Sequence, residues 1–422
     1  MAATREGLAL LGLGNAARAL GSRNYRRYVI GNGVSLCGTW MQRIAVGWLT
    51  WQLTHSGAWL GVIAAADLIA TVLLGPIAGA LADRLERLRV ARIVQLIAAL
   101  RGVVLSVLVA LDLVDIGTLF AFTLLQGLIN AFDGPTRLAL VPSLVGRAAL
   151  SSALAINSIV FNLARFVGPV GAGFAIEHGG NAVVFALNAV SYLWFFAALM
   201  TIRLERVDPA ASERGLFRST AQGIAYAVRH PGLGPVLLLL LVSAVCMRGV
   251  VELLAGFADA VFGRGAEGLA WLTAMVGLGA MVGGIWMIRR GTEEGLPKLV
   301  IAHLLWSAVA MAGFAATNVF WLAALCLFAS GFSMVVTGVG GQTLLQSSMD
   351  PAMRGRVMSL YGVIFRGGPA LGTLLMGVLT GPLGFHWPVI GAGVLAVAYW
   401  AWARLDLTRL TQELESVPSG EE

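Results

Sequence analysis

Five arginines and three acids stand where ionisable side chains are expensive. Arg43, Arg101, Arg165, Arg248 and Arg366, with Asp67, Glu252 and Asp259, interrupt long apolar runs. A charge at the centre of a bilayer costs about 3 kcal/mol or more, so it marks a substrate or proton pathway unless it serves structure. The chemistry open to these groups is proton exchange at a carboxylate and anion binding at a guanidinium. Asp67 and Glu252 are expected as proton-coupling groups. Arg43, Arg101, Arg165, Arg248 and Arg366 are expected as substrate contacts, joined by Trp40, whose ring suits stacking. Arginines outnumber acids, so the expected substrate is anionic. Arg248 and Glu252 are four residues apart and would share one face of a regular α-helix. For Arg165, Arg366 and Asp259, a structural role weighs as much as a functional one.

Other chemistries find no support. No Gly-x-x-x-x-Gly-Lys-Ser/Thr loop occurs, so direct nucleotide drive is not expected. The five histidines are scattered, and Cys37, Cys246 and Cys326 lie apart in apolar segments without ligand spacing. No catalytic constellation, metal site or cofactor is expected, and the chain does not read as an enzyme.

The elements that must hold these charges follow from composition. Of 422 residues, 58% are hydrophobic and only 12% charged, with 53 glycines. Soluble domains carry charge at about a quarter of positions, so this chain cannot coat a soluble surface. A crossing helix needs about 20 apolar residues. Apolar runs fall at 26–53, 58–82, 91–112, 116–138, 150–177, 181–202, 233–262, 267–288, 297–316, 319–346, 356–381 and 384–403. The expected fold is an all-α membrane protein of twelve transmembrane helices in two six-helix repeats.

Of the 29 basic residues, 23 fall in the termini and even-numbered turns, and the opposite loops hold only Arg264. By the positive-inside rule both termini are cytoplasmic, and the formal charge of +7 labels orientation rather than a nucleic-acid partner. The expected organisation is an N-terminal interfacial segment (1–24), a six-helix bundle (25–202), a cytoplasmic linker with an amphipathic helix (203–232), a second bundle (233–404) and a polar tail (405–422). Trp48, Trp51, Trp59, Trp271, Trp321 and Trp387 are expected in the outer interfacial belt, Trp400 and Trp402 in the inner one, with Trp306 deeper. Gly168-Pro169 recurs as Gly368-Pro369, with Arg165 and Arg366 just before them. Met41-Gln42-Arg43 is echoed by Met247-Arg248. Such echoes suggest duplicated halves.

One turn carries a family signature. Gly79-Ala80-Leu81-Ala82-Asp83-Arg84-Leu85-Glu86-Arg87 resembles the loop between spans 2 and 3 of the major facilitator superfamily. A longer set comprises Phe132-Asp133-Gly134-Pro135-Thr136-Arg137, Val141-Pro142-Ser143-Leu144-Val145 and Asn162-Leu163-Ala164-Arg165-Phe166-Val167-Gly168-Pro169. This set resembles the efflux branch that includes the enterobactin exporter. The resemblance implies a twelve-helix fold and a cytoplasmic latch built from Gly79, Asp83, Arg84, Arg87, Asp133 and Arg137, with Asp133 facing Arg84 or Arg87. It also implies efflux, commonly by proton antiport. Gly168, Pro169, Gly171, Gly368 and Pro369 read as helix-packing positions.

The expectation is a monomeric secondary active exporter in the bacterial inner membrane. It would move an amphipathic anion, siderophore or drug-like, in exchange for protons, with lipid as its surroundings. Uptake of a small organic anion is the rival within transporters, and a lipid-handling or receptor-like scaffold the rival outside them.

Overall fold

The computed structural model describes residues 19–84, 86–146, 149–203, 232–291, 294–349 and 353–405, with backbone alone at 72–84, 354 and 355. The linker helix, the C-terminal tail and most of the N-terminal segment lie outside the described residues. The regular structure of the described residues is all helical, without strands. The physical reason is that a chain this apolar must satisfy every backbone N–H and C=O within its own segment.

The helices run α1 (Arg23–Thr54), α2 (Gly57–Arg84), α3 (Arg87–Ala110), α4 (Ile116–Leu144), α5 (Leu150–Met200), α6 (Leu233–Val261), α7 (Gly265–Arg290), α8 (Leu296–Ala316), α9 (Phe320–Ser347), α10 (Arg354–Leu383) and α11 (His386–Leu405). Among the described residues, nine of these helices are long and apolar enough to cross a membrane. α5 is two helices joined end to end, because Gly180 (φ 73°, ψ 179°) breaks the spiral. Gly384 separates α10 from α11 with nearly the same angles, φ 72° and ψ 178°. That region is essentially closed to any side chain. At the start of α4, Asp115 caps the helix by accepting the Thr118 N–H at 2.7 Å. Hydrogen bonds from Thr118 hold its carboxyl below the usual carboxylate range.

The chain forms two compact units, Met1–Leu49 with Ile69–Ser212, and Thr50–Leu68 with Glu213–Glu422. Residues 50–68, expected with the first bundle, therefore group with the second unit. In the first unit Gly168 of α5 presses on α1, where an added Cβ would lie 2.5 Å from the Trp40 Cβ. In the second, Cβ atoms at Gly368 and Gly372 of α10 would meet Ala244 Cβ at 2.5 Å and the Val245 carbonyl oxygen at 1.9 Å. α7 and α9 meet through Gly279 against the Phe328 carbonyl and Gly331 against the Val276 carbonyl. Without a hydrophobic drive in lipid, such close backbone approach is what holds helices together.

Candidate functional site

α6 is the least regular backbone among the described residues. It winds as a π-turn over Ser243–Met247, a 3-10 turn over Arg248–Leu253 and a second π-turn over Phe257–Val261. Interruptions of this kind are frequent at functional sites. The sequence gives no period from which to read it, because apolar residues surround Arg248, Glu252 and Asp259 on every side. The regular helix expected at Arg248 and Glu252 is thus corrected. In a 3-10 turn side chains eclipse at i and i+3 rather than at i and i+4. α10 stabilises the break: the Thr373 hydroxyl lies 2.7 Å from the Gly249 carbonyl oxygen and 2.8 Å from that of Pro369. Its single proton can serve one of them at a time.

Beside the break, the Arg248 guanidinium lies over the Phe365 ring at 3.9 Å. Tyr361 stands 5.6 Å from Phe365, ring centre to ring centre, and its hydroxyl donates to Gln342 at 3.4 Å. These side chains border a shallow pocket no larger than a water molecule, with Ser243, Met334 and Gly338 also in its lining. Arg366, the next residue along, is exposed. Glu252 is half-buried on the 3-10 turn, and Asp67 is half-buried on α2.

The first unit gathers three of the expected contacts. Arg43 and Arg165 both lie over the Trp40 ring, at 5.3 and 5.7 Å from its centre, and Phe161 meets the same ring edge-on at 5.9 Å. Arg43 is exposed and Arg165 half-buried. An Arg–aromatic pair therefore occurs in each unit, next to the helix that carries the Gly-Pro pair.

Arg101 belongs to a separate cluster and is only 4% exposed. It donates a short hydrogen bond to Gln42 Oε1, which also accepts from Asn188 Nδ2 at 2.6 Å. Gln42 donates in turn to Gln126 Oε1 at 3.3 Å, and Gln126 to Asn130 at 2.8 Å. Four helices, α1, α3, α4 and α5, meet through these amides. A search limited to ionisable residues passes them over, although uncharged amides inside apolar runs are themselves a readable signal.

Nearer the ends of α3 and α4, Asp133 takes a 2.6 Å ion pair from Arg137 and a 2.7 Å hydrogen bond from Gln95. Arg137 also donates to Ser35 at 3.0 Å and lies over the Phe195 ring. Arg87, an expected partner of Asp133, donates instead to the Ala139 carbonyl at 3.2 Å. Intrahelical spacing explains the difference, since Arg137 is one turn from Asp133. The side chains of Asp83 and Arg84, and what surrounds Gly79, lie outside the described residues.

Two tryptophans of the expected outer belt are buried in the protein. Trp51 is 4% exposed, donates from Nε1 to Asp259 at 2.8 Å and meets Phe385 edge-on. Trp48 is also buried. Trp59, Trp271, Trp321 and Trp387 are exposed, as is Trp402. Trp306 is 62% exposed, which suits a lipid-facing ring rather than a substrate platform.

Comparison with known proteins covers nearly the whole chain. Residues 18–420 match the profile of the transmembrane secretion effector family. The staphyloferrin A transporter of Staphylococcus aureus is 22% identical over 343 residues, spanning 81% of this chain and 85% of its own length. The enterobactin exporter EntS of Escherichia coli O81 is 25% identical over 360 residues, spanning 84% and 85%. Among solved structures, a peptide transporter POT complexed with sulfate matches at TM-score 0.72 and 14% identity, over 93% of this chain and 96% of that one. A bacterial homologue of the human lysosomal transporter Spinster, in an inward-facing, unoccupied conformation, matches at TM-score 0.71 and 14% identity, over 95% and 99%. These two share the fold.

Proposed function

The chain belongs to the transmembrane secretion effector family of major facilitator transporters, membrane proteins and not enzymes, and on that premise we propose that it exports an anionic, amphipathic small molecule of the siderophore class. The carrying observation is the pair of Arg–aromatic groupings, Arg43 and Arg165 on Trp40 in one unit and Arg248 on Phe365 in the other. Guanidinium groups offer in-plane donors to carboxylate or phenolate oxygens while their faces stack on rings. The relatives named for siderophores lend support to that class of cargo.

In this reading the helices form twelve crossings in two six-helix repeats, with α5 counted as two. The matched contacts of Gly168 with α1 and Gly368 with α6 support duplication, as do the matched angles at Gly180 and Gly384. Alternating access between repeats exposes the site to each side in turn. Protons are the coupling ion, taken up at Asp67 or Glu252. The Asp133–Arg137 pair belongs to the latch at the cytoplasmic ends, together with Gly79, Asp83, Arg84 and Arg87. The membrane is the bacterial inner membrane, and the exporter acts as a monomer.

Everted membrane vesicles containing the chain are expected to accumulate radiolabelled enterobactin when energised, and to lose it when a protonophore is added. Asp67→Asn combined with Glu252→Gln should abolish uncoupler-sensitive accumulation. Accumulation that ignores the protonophore would remove proton coupling, and no accumulation under any gradient would remove export of this class.

A further inference from the structure

The end of α5 is held by side chains from two other helices. Arg92 of α3 donates from Nε and Nη2 to the Leu199 carbonyl at 3.2 and 3.0 Å, and from Nη2 to the Ile202 carbonyl at 3.1 Å. Arg27 of α1 donates to the Thr201 carbonyl at 2.8 Å, and Asn24 to that of Arg203 at 3.0 Å. The last carbonyls of a helix have no partner within it, so these donors have a structural reason to be there. Four further arginines at the same edge do not share it. Arg23 and Arg26 at the start of α1, Arg89 at the start of α3 and Arg203 just past α5 are exposed, and their guanidinium groups meet no acceptor among the described residues.

Apolar surface continues from those charges along the same helix faces. On α1, Ile30 and Val34 stand one and two turns from Arg26 and are exposed, and on α3, Ile93 and Leu96 stand likewise from Arg89. Both helices pack closely on α5. A Cβ at Gly31 of α1 would lie 2.8 Å from Ala198 Cβ, and one at Gly102 of α3 would lie 3.0 Å from Ala189 Cβ. Orientation in the membrane asks for basic residues at such ends, but it does not ask for six at one edge. At the comparable edge of the second unit, Tyr399 of α11 donates to the Pro235 carbonyl of α6 at 2.6 Å. There the described ends of α6, α8 and α11 offer Lys298 and Arg404. Guanidinium groups set over lipid-facing carbon match a phospholipid, whose phosphodiester is anionic and whose chains are apolar.

We propose that the edge formed by the start of α1, the start of α3 and the end of α5 binds an anionic phospholipid, its phosphodiester held by Arg26, Arg89 and Arg203. Arg27 and Arg92, committed to the carbonyls of α5, hold the three helix ends together and so fix where the lipid's counter-charges stand. A free phosphate would gain from the guanidinium groups and nothing from the apolar stripes, so the lipid is the occupant. The site lies apart from the cargo contacts and does not depend on the export reading.

The test uses purified full-length protein in detergent, titrated with dioleoylphosphatidylglycerol or dioleoylphosphatidylcholine and read by native mass spectrometry. Wild type is expected to bind the anionic lipid at least tenfold tighter than the zwitterionic one. Each arginine near an anionic headgroup is worth about fivefold in affinity. The triple variant Arg26→Gln, Arg89→Gln, Arg203→Gln should therefore weaken phosphatidylglycerol tenfold or more and phosphatidylcholine by less than threefold. A control variant removes the same charge from the second unit, Arg289→Gln, Lys298→Gln, Arg404→Gln, and should change phosphatidylglycerol by less than threefold. If the first triple variant does not fold, Arg26→Gln alone serves, with an expected loss of about fivefold. Equal affinity of wild type for the two lipids, or equal weakening by the two triple variants, would overturn the proposal. Displacement of phosphatidylglycerol by excess inorganic phosphate would overturn it too, by reducing the edge to a simple anion site.

Discussion

Gln42 accepts from a buried guanidinium and from a buried amide through one oxygen, and donates to a third partner. Removing that oxygen takes away the acceptor that Arg101 Nη2 and Asn188 Nδ2 share, in a place water does not reach. A buried donor left unpaired costs roughly 1–3 kcal/mol, more when charged, so Gln42→Leu should lower stability by about 3 kcal/mol. Gln42→Glu keeps the acceptor and adds a counter-charge to Arg101, so it should retain most of the stability. Unfolding of the purified protein in graded dodecyl sulfate measures both, and equal midpoints for Gln42→Leu and wild type would contradict the network. At this scale the sequence was partly legible. It placed Arg101, Arg43, Arg165 and Trp40 as notable residues, and the last three do meet. It could not pair them, because pairing depends on which helix faces which, and apolar helices carry little pattern to say so. Asp133 illustrates the limit: Arg137, four residues along the same helix, reaches it, whereas Arg87 turns to a carbonyl.

The helices themselves were nearly all readable. α7, expected at 267–288, spans Gly265–Arg290, and α9, expected at 319–346, spans Phe320–Ser347. Length and hydropathy suffice for that, since the bilayer dictates both. Interior winding was not readable. α6 changes from π to 3-10 within a largely apolar run, and its contact with α10 explains where. Gly249 lies against the backbone at Gly372 and Thr373, and Val245 against Gly372 itself. At Gly372 an added Cβ would come within 1.9 Å of the Val245 carbonyl oxygen, a rigid backbone atom. Gly372→Val should therefore leave little folded protein after detergent extraction, judged by size-exclusion chromatography. Gly362, on the same helix, would place its Cβ in open space, and Gly362→Ala should elute as wild type. A monodisperse Gly372→Val variant would mean that α6 and α10 do not meet as described.

For the molecule as a whole, the charge arithmetic makes the sharpest prediction. With 23 of 29 basic residues in the termini and even turns, fusions of alkaline phosphatase after residues 113 and 318 should be active, and fusions after 147 and 292 inactive. The reverse pattern would invert the orientation. What the whole chain does not express in its sequence is the membership of residues 50–68 in the second unit. Hydropathy assigns segments to the membrane one at a time and is blind to their partners.

The two matched bends allow the halves to be measured against each other. Twelve positions lead from Gly168 to Gly180, and sixteen from Gly368 to Gly384. Neither bend tolerates a side chain, so both are fixed marks from which length can be counted. The second half runs four residues further, about 6 Å of helix at 1.5 Å per residue. If the halves descend from one ancestor, they have not stayed equal: α10 carries one turn more than its counterpart, an asymmetry of reach rather than of side-chain chemistry.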